Sequence, residues 1–268
     1  MASVLQTTRH EFSALLSSWS AYLFVASFLL LSLYLFFWVE TFFARNLADI
    51  RPLFEWLPLL MMFLVAAVTM RMWSDERRSG NIEMLLTSGT PLWRLVAGKF
   101  AAVVMLLLVA LLLTLPLPLT VAFSGPLDWG PVIGGYAASL LVASCYAAIG
   151  LYASSRSDNQ VVSLIVTIAI CGALYVVGSP TLTAFAGQHL SEFMASFATG
   201  ARFQSITRGV IDVRDLCYYL TVTLIFLLLN LLALEKLRLA GRSATTGYRR
   251  HRMLVSATVI LLLAVNIL

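Results

Sequence analysis

Charge is what this sequence has least of. Asp, Glu, Lys and Arg make up 12% of its 268 residues and hydrophobic residues 60%, whereas a soluble domain draws on about a quarter charged residues. An ordinary water-soluble globule is therefore excluded, and a mean hydropathy of +0.90 marks an integral membrane protein. Segments alternating apolar and polar with period two are also absent, which excludes a membrane barrel. The three cysteines, Cys145, Cys171 and Cys217, lie in or beside apolar runs without paired spacing, so neither a disulfide framework nor a zinc site is expected. The first apolar run is too long for a cleavable signal and lacks a small-residue cleavage site.

Catalytic and ion-coupling chemistry is missing too. No Asp, Glu, Lys, Arg or His stands near the centre of any long apolar run, where a proton-coupled transporter or ion pump keeps its coupling carboxylate. Gly98-Lys99 lacks the rest of a phosphate-binding loop: Trp93 stands where the first glycine is needed and Phe100 where Ser or Thr is needed. Neither paired aspartates nor a His-Glu-x-x-His motif lies in the runs, and His10, His189 and His251 fall outside them. The chain is expected to be no enzyme and to bind no nucleotide, metal or nucleic acid.

What is present is a series of apolar runs long enough to cross a bilayer as helices, about 20 residues at about 1.5 Å each. Six spans are read at 19–39, 52–72, 96–123, 132–152, 161–177 and 216–234, giving an all-α six-helix transmembrane bundle. Pro116 and Pro118 must bend or end the third. In the fourth, Gly135, Ser139, Ala143 and Ala147 form a small-residue stripe that lets a neighbouring backbone come close. Before the first span, residues 1–18 repeat Val4, Leu5, Thr8, Phe12, Leu15 and Leu16 at helical spacing, the pattern of a helix lying in the interface. Residues 178–214 are too polar to cross and too apolar for a tail, and read as a segment re-entering the outer leaflet between spans five and six. A basic linker follows at 237–252, and the 16 apolar residues of 253–268 allow a marginal seventh transmembrane helix, complete or cut from a fused partner.

The densest charge lies between the second and third spans, from Arg71 to Lys99. Gly80 breaks the preceding helix and Asn81 is placed as an N-cap. A two-turn helix is then expected, with Ile82, Leu85 and Leu86 on one face, Glu83 near its positive end and Gly89 closing it. Thr90 and Pro91 repeat the start signal for the next helix. Asp75, Glu76, Arg77 and Arg78 lie on the approach.

The run MRMWSDERRSGNIEMLLTSGTPLWRLVAGKF resembles the signature of type-2 ABC exporter permeases, especially the gliding-motility branch. There a Glu-Glu-x-x-Ser-Gly-Thr-x-Glu-Leu-Leu-x-Thr run precedes Gly-Lys-Phe, and Asp75 and Asn81 replace the usual Glu and Thr. RHEFSALLSSWSAY resembles the family's N-terminal elbow helix, with Trp19 in place of a proline. Asp158, Asn159 and Gln160 match its second cytoplasmic turn, FQSITRGVIDVRDLCYY is similar to the gliding-type permeases, and the closing Val-Asn-Ile-Leu resembles the start of their auxiliary subunit.

The resemblance implies a coupling helix in the Arg71–Lys99 loop, with residues 75–78, Gly80, Asn81, Ile82, Glu83, Leu85 and Leu86 as the coupling set. It implies two copies of a separate ABC ATPase carrying ATP and Mg, and a second permease copy or a paralogue. An auxiliary membrane subunit with a large extracytoplasmic domain is the further partner it allows. With the amino terminus inside, thirteen of the 18 Lys and Arg fall on the inner side, which places this loop in the cytoplasm and the chain in the inner (cytoplasmic) membrane, embedded in the lipid bilayer. Two functions are compatible: export of a substrate that the sequence does not name, and mechanical transduction of ATP hydrolysis to an extracytoplasmic or auxiliary membrane partner without substrate passage.

Overall fold

At the middle of the bundle stands the helix richest in small residues. In the computed structural model, which describes residues 4–40, 49–87, 89–177, 198–209, 212–240 and 258, it is α8, Trp129–Arg156. Among the described residues ten further α-helices precede and follow it: α1 Val4–Leu16, α2 Trp19–Tyr34, α3 Arg51–Thr69, α4 Ser74–Arg78, α5 Asn81–Thr87, α6 Leu92–Leu112, α7 Pro116–Ser124, α9 Gln160–Val176, α10 Thr199–Thr207 and α11 Val213–Ala240. Among the described residues there is no strand.

α8 is packed by α3, α6, α9, α10 and α11. Its stripe makes this close: Gly135, Ser139, Ala143 and Ala147 are all buried. A Cβ at Gly135 would lie 2.5 Å from the Phe54 ring, and one at Gly150 would lie 2.1 Å from Thr69 Oγ1. α3 therefore meets α8 at both ends through glycines. The Phe54 ring is held edge-on to Tyr136 at 5.5 Å.

Among the described residues five helical segments are long and apolar enough to cross a bilayer, those containing α2, α3, α6 with α7, α8 and α11. α9, with 17 residues, is the short apolar one. α2 buries few side chains and exposes Leu23, Leu30, Leu31 and Leu33, as a helix at the lipid boundary does. Its last turn widens into a π-helical stretch, Leu35–Val39, and Glu40 beyond it accepts from Trp56 Nε1 at 2.8 Å.

The third apolar run is two helices, broken where Pro116 was expected to bend or end it: the chain turns at Leu113–Leu115 and Pro116 opens α7, where its missing N–H costs no hydrogen bond. Two readings are revised in detail. The fourth and sixth runs extend well past 132–152 and 216–234, with Asp128 capping α8 by accepting from Gly130 N. Helix α6 starts one residue later than Thr90-Pro91 suggests: Pro91, in extended backbone, is the flanking residue and Leu92 the first helical one. Of the segment between spans five and six, α10 is described and residues 178–197 lie outside the described residues, as do 241–252 of the basic linker. Apart from Thr258, the seventh helix expected at 253–268 lies outside them too.

Candidate functional site

Between α3 and α6 the chain makes two short helices in succession, and glycines set their limits. Gly80 and Gly89 have φ of 74° and 73°, the left-handed region where a side chain is strained. They bracket the seven residues of α5 on both sides. Asn81, read as an N-cap, is instead the first helical residue, and Gly80 does the turning.

α5 has two faces. Ile82 and Leu86 are buried in the common core, with Leu85 packed against it. Asn81, Glu83, Met84 and Thr87 are exposed, and Met84 keeps 77% of its surface accessible. Together with exposed Arg78 they make a strip facing away from the bundle. Beside it lies a depression of about 490 Å³ lined by Asp75, Glu76, Arg78, Ser79 and Asn81.

The charges on α4 are tied inward. Asp75 accepts from the Gln160 side-chain amide and Arg77 pairs with Asp158, while Arg77 Nη1 also donates to Ser155 O at 2.7 Å. Glu76 Oε1 accepts from Lys99 Nζ at 2.7 Å. The same ammonium donates to Glu11 Oε1 on α1 at 2.9 Å and stands 4.9 Å from the centre of the Trp73 ring. Lys99 is 2% exposed, so its charge is held in place only because two carboxylates and an aromatic face surround it. Arg78 alone of the four charged residues on α4 is exposed.

The turn Asp158-Asn159-Gln160 thus has two separate jobs. Asp158 and Gln160 hold α4, and Asn159 caps α9 by accepting from Val161 N at 2.9 Å.

Lys99 was read as a failed phosphate-binding lysine and as part of the Gly-Lys-Phe motif, and its partners were not foreseen. Nor were the packing roles of Gly98, Gly150 and Ser154. Ser154 repairs the break between α3 and α4, where the helix ladder stops at Met70. Its Oγ accepts from Trp73 N at 3.0 Å and Ser74 N at 3.2 Å and donates to Met70 O at 3.2 Å. Gly150 and Ser154 continue the small-residue stripe from Ala147 at steps of three and four, a signal visible in the sequence. Gly98 brings α1 onto α6, since a Cβ there would lie 2.7 Å from Thr7 Cγ2. α1 departs from its expected face at two positions: Thr8 is buried with that face, but Glu11 also turns inward to Lys99 and Leu5 is 78% exposed.

Near this cluster Arg71 Nη1 donates to Ser20 Oγ at 2.9 Å, and a cavity of about 280 Å³ opens between α1, α2, α3 and α6. Among the described residues no group of His, Cys, Asp and Glu is arranged to hold a metal ion.

A charged apparatus at one end of an apolar helical bundle, holding one short helix with an outward strip, fits a membrane component that meets another protein. Residues 44–234 match the model of a family described as ABC-2 family transporter protein. The match runs from before α3 to the last third of α11 and takes in α4, α5 and the Asp158–Gln160 turn. No match to the chain is found among the curated proteins. The chain belongs to the ABC-2 family of transporter proteins, as a multi-pass membrane permease component of an ABC system.

Proposed function

We propose that the chain works as the membrane subunit of an ATP-driven exporter, with α5 as the helix that receives force from a separate ATPase. The carrying observation is the division of α5 into a buried face, Ile82 and Leu86, and an outward strip, Asn81, Glu83, Met84 and Thr87. Exposed Met is a large, adaptable apolar contact on an otherwise polar strip. Of the proposed coupling residues, Arg78, Asn81 and Glu83 then face the ATPase, together with Met84. Asp75, Glu76 and Arg77 hold the lever, Ile82, Leu85 and Leu86 seat it, and Gly80 gives it its turn.

A push on α5 has rigid routes into the bundle. It passes to α3 and α8 through the Ser154 junction, to α9 through Gln160 and the Asp158 turn, and to α6 and α1 through Lys99. α1 acts as an elbow that moves with α6. The spans then tilt as bodies, opening a path away from the cytoplasm. Two ATPase subunits carrying ATP and Mg, and a second permease copy or a paralogue, complete the machine. The gliding-motility branch is the closest reading of the hinge motif. The amino terminus and the hinge lie in the cytoplasm, at the inner membrane.

The test separates lever from fastener. Met84→Asp with Glu83→Lys should abolish co-purification of Mg-ATP hydrolysis with the chain from its native membranes and leave its melting temperature unchanged. Glu76→Lys should lower the melting temperature instead. Undiminished hydrolysis with the first variant would overturn the reading.

A further inference from the structure

At the end of the bundle remote from α5, the first turn of α3, the last turn of α9 and the helix α10 enclose a second recess, of about 320 Å³. We propose that this recess binds the phosphate of an amphiphile, namely a phospholipid headgroup that also carries a free amine. The inference does not depend on whether α5 meets an ATPase.

The floor is aromatic. Phe54 and Phe203 are buried, and Tyr175 lines the same space. Phe54 packs against Gly135, and the Tyr175 ring lies against Gly200, where an added Cβ would come within 3.1 Å of it. α10 is anchored as well: Tyr219 Oη donates to Thr199 O at 2.7 Å, and Arg202 pairs with Asp215 at 3.1 Å. Its far end turns at Gly209, where φ is 90° and Pro131 lies against the backbone.

The rim carries charge of unequal sign. Arg202 on α10 is paired within the chain, but Arg51 and Arg208, which line the recess, form no ion pair among the described residues. Both guanidiniums are exposed at the mouth. The single carboxylate among the described lining residues is that of Glu55. Two guanidiniums over an aromatic floor suit a phosphate with an apolar body behind it, since guanidinium presents paired N–H donors to phosphate oxygens. Glu55 accepts hydrogen bonds only, which favours an ammonium group over a quaternary choline. The phosphate could come from a lipid or from free phosphate; the aromatic floor commits the site to the lipid.

The full chain, purified in detergent, is to be examined by native mass spectrometry with phosphatidylethanolamine, phosphatidylcholine and inorganic phosphate added separately. Phosphatidylethanolamine should be retained preferentially. Arg51→Gln with Arg208→Gln should lower its retention about tenfold, and Arg51→Lys with Arg208→Lys should restore most of it. Glu55→Gln should bring ethanolamine lipid down to the level of choline lipid. Circular dichroism and each single substitution, made at exposed positions, establish that the fold is kept. Unchanged retention in the double Gln variant would overturn the proposal. So would complete displacement of the lipid by millimolar inorganic phosphate, which would make this a free-anion site.

Discussion

Lys99 shows how much one side chain can carry in an apolar bundle. An ammonium 2% exposed is stable only with its countercharges, and here they come from two different helices, Glu11 on α1 and Glu76 on α4. Removing one partner of a buried pair costs about 3–5 kcal/mol, because the remaining charge is left uncompensated. Lys99→Met strands both carboxylates and should lower the melting temperature in detergent more than Glu11→Gln, which leaves Lys99 one partner. Equal effects would show that the contact to Glu76 on α4 adds nothing once the contact to Glu11 is lost. The glycines offer a second residue-scale test with its own control. Gly150→Ala should cost about 1–3 kcal/mol, since the new methyl group collides with Thr69. Gly172→Ala meets only Met62 Sδ, at an ordinary 3.7 Å, and should be neutral or stabilise the helix by up to about 1 kcal/mol. Chemical denaturation of both variants reads the difference.

At the scale of elements, the junction between α3 and α4 is the point where the bundle passes into its two short helices. A helix that stops inside a protein leaves N–H and C=O groups to be satisfied elsewhere, and three of these at Met70, Trp73 and Ser74 are met by the one hydroxyl of Ser154. Ser154→Ala should cost about 1–3 kcal/mol. Its distinguishing sign is local: amide hydrogen exchange should accelerate at Trp73 and Ser74 before it does in α3. The hinge glycines act differently, because Gly80 and Gly89 have open space where a Cβ would go and are required only for their left-handed backbone. Alanine at either should cost about 1 kcal/mol through strain, and should shift α5 relative to the core that Ile82 and Leu86 fill.

At the scale of the whole molecule, sidedness is the measurable consequence. With Cys217, the exposed native thiol, replaced by serine, the buried Cys145 and Cys171 remain unreactive background. Met84→Cys in that chain should react with a membrane-impermeant maleimide only in inverted vesicles, whereas Arg208→Cys should react only from the opposite side. Labelling of both from one side would place the two ends of α3 on the same face, which its 19 residues, about 28 Å of helix, do not allow if it spans the bilayer.

Much of this protein was legible along the chain because the solvent is lipid. A segment in hydrocarbon must satisfy its own backbone, so an apolar run of sufficient length is a helix whatever packs on it. The same local logic placed the breaks: Gly80 and Gly89 around α5 and Pro116 at the start of α7 are conformational facts about single residues. The small-residue stripe of α8 could be seen for the same reason, as a matter of spacing. Which face of α5 turns outward, why α1 hides Glu11 and exposes Leu5, and which charges of α4 are spent inside the chain had no such local signal. Those were decided by long-range pairs, Lys99 with Glu11 and Glu76, Arg77 with Asp158, and Ser154 with the end of α3, since a buried charge or an orphaned amide takes whatever partner folding brings within reach.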